Sequence, residues 1–419
     1  MPNNAPQTLS ATPHSTALLK TLFDAPGVRA LSAGWPTHWF ATHDAAARLP
    51  DTLRRIELRD VPSLLRAYRG RVAFTSGPKS PDMVPIDKVN PAALWKMGLT
   101  VYFPDVTPCV PGLEALLRQL ETELGVRAGS ARCGAFASPP GDGLACHYDA
   151  EDVISIQLAG RKRFHLAPVA ELPTPYGMQY GPGSIPYDEL YPQVAGPFPD
   201  FQRARFESVD MEPGSVLYMP RGTWHRSEAL SESLAVSIIL RPPTLLDSAL
   251  EQLRLMLLQD ERWRRPLYRL GRNTENDGTL STALAALPQY VSALNRTDIV
   301  RHNLTEAERI ARIDTASRFQ TNPTGCIESL PAPHSATQVT LLLKTVDDQH
   351  GERQTARLDV APAALRVFEW LAARNGPFGA DELVKQFPDF PLNEHLEILR
   401  VAVRGRLVKL LNFPLLPRH

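Results

Sequence analysis

The chain has 419 residues, with 45 basic and 45 acidic side chains and a formal net charge of zero. Hydrophobic residues make up 43% and charged residues 21%, a composition typical of a globular protein with one large domain or two to three smaller ones. The balanced charge excludes a general electrostatic attraction to nucleic acid or to an anionic membrane.

The cysteines and the N-terminus indicate a cellular location. None of the four cysteines pairs in a Cys-x-x-Cys motif, and a disulfide framework is not expected in a chain of this size. The N-terminus lacks the basic start and apolar stretch of a signal peptide, and no run reaches the roughly 18 apolar residues of a membrane span. We therefore expect a cytoplasmic protein with reduced thiols and no membrane segment.

The first third of the chain predicts short elements after a polar tail at residues 1–14. Apolar spacing and turn residues predict helices at 16–23, 44–49, 90–97 and 111–124, and strands at 71–74 and 101–103. A turn is expected at 76–78. Residues 131–137 then begin a series of strands without room for crossover helices, which favours an antiparallel jelly roll.

Two candidate metal ligands stand just before the next strand of this series. His147 and Asp149 are two residues apart, so in an extended strand their side chains leave the same face. Residues 153–158 predict a buried strand, and 161–166 a return strand on which Lys162 shares a face with two apolar residues. Because a buried ammonium needs an anionic partner, a bound carboxylate is a natural candidate for that partner.

A third candidate ligand follows a second strand. A Pro-Gly turn at 213–214, a strand at 215–219 and the turn Pro-Arg-Gly at 220–222 lead to His225. Two histidines and one carboxylate form the facial triad of non-haem iron(II) oxygenases, which leaves coordination positions open. His147, Asp149 and His225 are therefore the predicted iron ligands.

Taken together, these motifs resemble one family. The His-x-Asp pair, the lysine in Gly-Arg-Lys-Arg-Phe, the Pro-Gly-x-x-x-Tyr-x-Pro-x-Gly-x-x-His turn and the strand Ser-Ile-Ile-Leu-Arg-Pro are similar to those of the JmjC-type cupin oxygenases. The likeness covers residues 130–242 and points to the ribosomal oxygenase subgroup. That subgroup hydroxylates ribosomal protein side chains with iron(II), 2-oxoglutarate and dioxygen.

The resemblance implies a fold and an organisation in three parts. It implies a mixed β and α fold: a JmjC/cupin catalytic domain at 1–243, which is a double-stranded β-helix with an N-terminal extension, a helical dimerisation region at 244–320 and a winged-helix-like domain at 321–419. It also implies that Lys162 pairs with the distal carboxylate of 2-oxoglutarate and that the hydroxyl of Ser138 assists. A homodimer and a protein or peptide substrate are the expected partners.

A long loop and the C-terminal half complete the pattern. Residues 168–206 are rich in proline and tyrosine and have no period, which is typical of a functional lid, and we expect 173–205 to select a polypeptide substrate.

Helices are predicted at 245–259, 279–295, 363–374 and 380–387, strands at 338–345 and 355–360, and helix or helix and strand at 392–411. The C-terminal part has no basic stripe, so protein docking is favoured over nucleic-acid binding.

The sequence leaves three functional alternatives open. The chain departs from the subgroup at Ala235, where asparagine is common, and in the Ala-Glu-Asp that follows Asp149 in place of Gln-Tyr-Asp. These changes affect the identity of the substrate. Hydroxylation and demethylation are not separated, and a cupin acting on a small molecule or a catalytically silent scaffold remains an alternative.

Overall fold

A computed structural model describes residues 16–75, 83–86, 91–181, 183–268, 274–304, 306–347 and 351–411. The chain divides into two compact units, Met1–Pro242 and Pro243–His419. The tail predicted for 1–14 and the turn predicted at 76–78 lie outside the described residues. In the described part, no helix is long and apolar enough to span a bilayer.

The first unit holds the strands predicted around the metal motifs. Its helices are α1 Leu19–Leu22, α2 Ala25–Ala33, α3 Val61–Ala67, α4 Pro91–Lys96 and α5 Leu113–Leu124. Its strands are β1 Phe40–Thr42, β2 Val72–Thr75, β3 Met83–Ile86, β4 Val101–Phe103, β5 Ala131–Ser138, β6 Asp152–Ala159, β7 Lys162–Pro168, β8 Glu207–Met211, β9 Val216–Met219, β10 Thr223–Ala229 and β11 Ser233–Leu240.

These strands form two antiparallel sheets. The larger has eight strands in the order β1-β9-β6-β11-β5-β4-β2-β3, and the smaller has three in the order β10-β7-β8. Side chains from both sheets line one cavity, so the cavity lies between them. The mixed β and α architecture and the large antiparallel sheet agree with the predicted cupin jelly roll.

The central strands β6 and β11 of the larger sheet are buried on both faces. On β6, Ile154 and Ile156 pack into a core shared with the N-terminal helices, whereas Val153 and Ser155 face the cavity. Strand β11 alternates in the same way between the two sides. Because both faces of β6 are covered, the polar Ser155 and Gln157 are buried as fully as the apolar residues beside them.

The second unit contains helices and two three-stranded sheets. Its helices are α6 Leu245–Leu257, α7 Thr274–Ala293, α8 Arg296–Asn303, α9 Glu306–Ala311, α10 Pro362–Ala373, α11 Ala380–Gln386 and α12 Leu392–Arg404. Its strands are β12 Arg318–Thr321, β13 Gly325–Pro331, β14 Val339–Asp347, β15 Gly351–Val360, β16 Pro377–Gly379 and β17 Val408–Leu411. The sheets have the orders β16-β12-β17 and β13-β14-β15. A division of this unit at residues 320 and 321 stays a prediction.

One predicted helix is wrong. Residues 44–49 form a turn, in which the backbone N–H groups of Arg48 and Leu49 both donate to the carbonyl of Ala45. Asp44 has φ +60°, outside the right-handed helical region, so the turn begins only at Ala45. Pro50 follows and lacks the N–H that a further helical turn would need.

Candidate metal centre

The three predicted ligands lie together at the cavity between the sheets. One ligand atom from each of His147, Asp149 and His225 falls within 4.8 Å of the others. The Nε2 atom of His147 is 3.9 Å from Asp149 Oδ1, and the Nε2 atom of His225 is 3.6 Å from Asp149 Oδ2. All three residues line the same cavity of about 330 Å³.

Hydrogen bonds orient both imidazole rings for metal binding. The Nδ1 atom of His147 lies 2.8 Å from the carbonyl of Ala145, and that of His225 lies 2.9 Å from the carbonyl of Thr223. A carbonyl only accepts, so each Nδ1 carries the proton and each Nε2 keeps a free lone pair. Burial, and next the nearby His147, lower the pKa of His225, which favours the neutral ring that binds a metal.

The segment that carries His147 and Asp149 is not the regular strand that was predicted. It makes only isolated bridges, of His147 with His225 and of Tyr148 with Tyr180. The backbone N–H of His147 donates to the carbonyl of His225 at 3.1 Å, and the reverse bond is 2.8 Å. These bonds bring the ligands together where a longer ladder was expected.

Lys162 lies on the cavity side of β7, as the strand period predicts. Its side chain is only 2% exposed and its Nζ is 5.4 Å and 5.6 Å from the ring centres of Phe136 and Phe164. Burial lowers the pKa of Lys162 to about 8, although the charge of Asp142 acts in the opposite direction. A buried cation between aromatic rings is ready to bind an anion that enters the cavity.

Ser138, the second residue predicted to contact 2-oxoglutarate, does not line the cavity as Lys162 does. It is fully buried at the end of β5, and its hydroxyl oxygen has no hydrogen-bond partner within the described ranges. It shares the cavity-facing parity with Phe136 on that strand but does not line the cavity itself. Its contact with 2-oxoglutarate stays a prediction.

Sequence reasoning missed a polar group at the cavity wall. The guanidinium of Arg132 donates to Tyr102 Oη at 3.1 Å and to Glu151 Oε2 at 3.1 Å, and all three residues line the cavity. Arg132 and Phe136 lie on the same face of β5, the face toward the cavity. The strand-period argument used for Lys162 could therefore have found Arg132. Glu151 had no comparable signal, because its irregular segment has no period.

The long loop reaches this cavity at one point. The backbone of Tyr180 pairs with that of Tyr148, with both N–O distances 3.0 Å, and the neighbouring Gln179 lines the cavity. Tyr180 and Tyr187 are buried in a cluster with Trp224, so these two tyrosines anchor the loop. Tyr191 is exposed.

Two antiparallel sheets that enclose a cavity with a His/Asp/His set are consistent with the class of metal-binding cupin proteins. Within this class, residues 118–248 match the family model described as the JmjC domain. The predicted resemblance to the JmjC family is therefore confirmed for this part of the chain. Iron(II), 2-oxoglutarate and dioxygen are the cofactor and co-substrates of JmjC oxygenases, and the donor set here fits iron(II).

The chain spans about half the length or less of the relatives that it matches by sequence. The chain is 30% identical over 173 residues to the uncharacterized protein YxbC of Bacillus subtilis, a match covering 41% of this chain and 52% of that protein. It is 36% identical over 124 residues to ribosomal oxygenase 2 of Rattus norvegicus, covering 29% of this chain and 22% of that one. A structure of the Escherichia coli ribosomal oxygenase YcfD with cobalt and 2-oxoglutarate aligns at 14% identity, a TM-score of 0.38 and coverage of 89% and 94%.

Proposed function

We propose that this chain is an iron(II)- and 2-oxoglutarate-dependent dioxygenase that hydroxylates a side chain of a protein or peptide. The observation that carries the proposal is the His147, Asp149 and His225 set in the same cavity as the buried Lys162. The ligands would hold one face of the metal, and the lysine would bind the distal carboxylate of 2-oxoglutarate as a point charge.

The protein's part in the reaction is binding and orientation. The carbonyls of Ala145 and Thr223 fix the two imidazole rings, and the rings of Phe136 and Phe164 make an apolar wall around Lys162. Iron(II) supplies the oxidation, in which 2-oxoglutarate and dioxygen give succinate, carbon dioxide and one oxygen atom inserted into a substrate C–H bond. Demethylation is the same insertion at an N-methyl carbon.

The cavity offers polar groups to a polypeptide side chain. Its volume of about 330 Å³ is at the lower end of the range for ligand pockets, and 2-oxoglutarate would take part of it. Arg132, Glu151 and Gln179 line the remaining space with polar groups. A complete donor set argues against a silent scaffold, and the polar lining beside the metal ligands offers hydrogen bonds to a substrate side chain.

Alanine variants of the three ligands test the metal centre. His147→Ala, Asp149→Ala and His225→Ala should each abolish succinate release and metal binding, because each removes one of three protein ligands. His165→Ala is the control, since that ring faces away from the cavity and hydrogen-bonds Ser208 at 2.9 Å. A ligand variant that keeps normal metal content and turnover would remove that residue from the site.

Product analysis tests the reaction type. The full chain is incubated with candidate proteins and peptides, iron(II) and 2-oxoglutarate, and the products are examined by mass spectrometry. We expect the gain of one oxygen atom on a side chain; the loss of a methyl group would indicate demethylation instead. Conversion of a free metabolite without any polypeptide product would favour the small-molecule alternative.

We also propose that the chain is a cytoplasmic homodimer assembled through the helices at 245–295. Leu245, Leu246 and Leu250 on α6 are exposed, which leaves an apolar face for a second copy. Light scattering should show a dimer at micromolar concentration, and the pair of changes Leu246→Glu and Leu250→Glu should give a monomer. A wild-type monomer would contradict this assembly.

For residues 321–419 we propose a winged-helix-like domain that docks protein, so their deletion should weaken polypeptide turnover only.

A further inference from the structure

A buried carboxylate stands beside the metal centre without belonging to it. Asp152, the first residue of β6, is fully buried and lies three residues after Asp149. Its Oδ1 accepts from Trp35 Nε1 at 2.9 Å, Tyr218 Oη at 3.3 Å and the backbone N–H of Arg221 at 3.1 Å. Its Oδ2 accepts from Nε and Nη2 of Arg221 at 3.1 Å and 2.9 Å.

Arg221 belongs to the turn that delivers the third ligand. It precedes Gly222, whose backbone N–H donates to the carbonyl of Asp149 at 2.9 Å, and it stands four residues before His225. The ion pair therefore connects the segment that carries His147 and Asp149 with the segment that carries His225.

This connection continues the pairing of β6 with β9, in which Val153 stands opposite Met219, and leads through the turn to a second sheet. Asp152 begins β6 in the eight-stranded sheet, whereas His225 lies on β10 in the three-stranded sheet. Near the ligands, the backbones of the two segments are joined by the His147–His225 bridge and by the bond from Gly222 to Asp149. Together with the ladder of β6 and β9, which ends two residues before Arg221, these few contacts set the spacing of the three ligand atoms.

We propose that Asp152 and Arg221 are positioning residues that hold His225 at the distance from His147 and Asp149 that a metal ion requires. Trp35 and Tyr218 complete the hydrogen bonds of Asp152, so the N-terminal part of the unit takes part in the same arrangement. The inference rests on the proposed function. A buried ion pair contributes little net stability compared with apolar residues, so a role in geometry accounts better for its place here.

The test measures cobalt(II) binding to the full chain by titration and by the absorption spectrum of the bound ion. Asp152→Asn keeps the size of the side chain but removes its charge, and we expect cobalt(II) affinity to fall ten- to hundredfold with an altered spectrum. Arg221→Lys keeps a positive charge but loses the pair of hydrogen bonds from Nε and Nη2, and should give a smaller loss of cobalt(II) affinity. Trp35→Phe removes one donor and keeps an aromatic ring, and should have the smallest effect.

Glu121→Gln is the matched control. Glu121 is equally buried, accepts from the backbone N–H of Ala131 at 2.7 Å and pairs with Arg118 at 2.9 Å, but it lies on α5 and connects no segment that carries a metal ligand. We expect it to lower the unfolding temperature and to leave cobalt(II) affinity and spectrum unchanged. His225→Ala should lose cobalt(II) binding altogether.

Three outcomes would decide against the inference. Unchanged affinity and spectrum in Asp152→Asn would overturn it, and if that variant does not fold, unchanged binding in Arg221→Lys would overturn it. Equal losses in Glu121→Gln and Asp152→Asn would show a general effect of destabilisation. If His225→Ala still bound cobalt(II) normally, the proposed function itself would fail, and that result is distinct from the others.

Discussion

Replacing Lys162 with methionine should stabilise the protein without ligands at neutral pH and remove its affinity for 2-oxoglutarate. The side chain is buried between Phe136 and Phe164, and methionine is an unbranched apolar residue that adapts to such a space. The ammonium is therefore costly to the fold and is kept, on our proposal, because it binds the co-substrate.

The magnitude follows from the pKa. Burial lowers the pKa of Lys162 from 10.5 to about 8, so the charged form at pH 7 costs about 3 kcal/mol at 1.36 kcal/mol for each unit of pKa. The folded pKa lies below the unfolded one, so this cost is complete below pH 8. It decreases as the pH rises from 8 to 10.5, and the wild type should gain stability over that window. The variant should lack this gain.

The assay compares urea unfolding of the full chain and of Lys162→Met at several pH values between 7 and 10, with Lys96→Met as an exposed control on α4. Other groups that titrate in this range are common to the proteins and cancel in the difference. Calorimetry with cobalt(II) should show a more than hundredfold loss of 2-oxoglutarate affinity, since removal of one partner of a buried charge pair costs about 3–5 kcal/mol. A variant less stable than the wild type at pH 7, an unchanged pH dependence or retained 2-oxoglutarate affinity would refute the reasoning.

Three further predictions concern backbone geometry, a helix cap and the loop. Gly160→Ala should destabilise the first unit by about 2–5 kcal/mol in urea unfolding, because φ is +65° and a Cβ would meet the carbonyl of Glu232, whereas Gly141→Ala meets no atom and should cost less. Thr244→Ala should lower the protection of α6 against hydrogen exchange by about 1 kcal/mol, because it removes a capping box. Excision of 173–205 should abolish polypeptide hydroxylation but spare slow conversion of 2-oxoglutarate to succinate; a parallel loss of both rates would make the loop structural.

The residues at the candidate metal centre could be predicted because their positions follow from local patterns. His147 and Asp149 are two residues apart, and turn residues mark the approach to His225. Lys162 was found by the period of two along β7, where Phe164 and Leu166 are buried on its side. The structure brings all four residues to one cavity.

The contacts that hold this arrangement could not be predicted in the same way. Asp152 and Arg221 are 69 residues apart, and Arg132 and Glu151 are 19 apart, so their pairing depends on which strands become neighbours. Sequence patterns give the faces of a strand but not the register between distant strands. The turn at 44–49 was missed for another reason: its alanines and leucine favour a helix, but Asp44 lies outside the helical region and Pro50 prevents a second turn.

The two buried faces of β6 explain how an irregular segment can carry a metal ligand with fixed geometry. Asp149 stands outside the ladder, but Asp152 begins a strand whose Ile154 is enclosed by the helical core and whose Val153 lines the cavity. Such a strand has little freedom to shift, because a slip by one residue would exchange the two sets of side chains. The ion pair of Asp152 with Arg221 holds the turn before His225 against this fixed strand. Precision at the metal centre would then originate in the packing of the sheet, and the side chains around the metal would need few contacts among themselves.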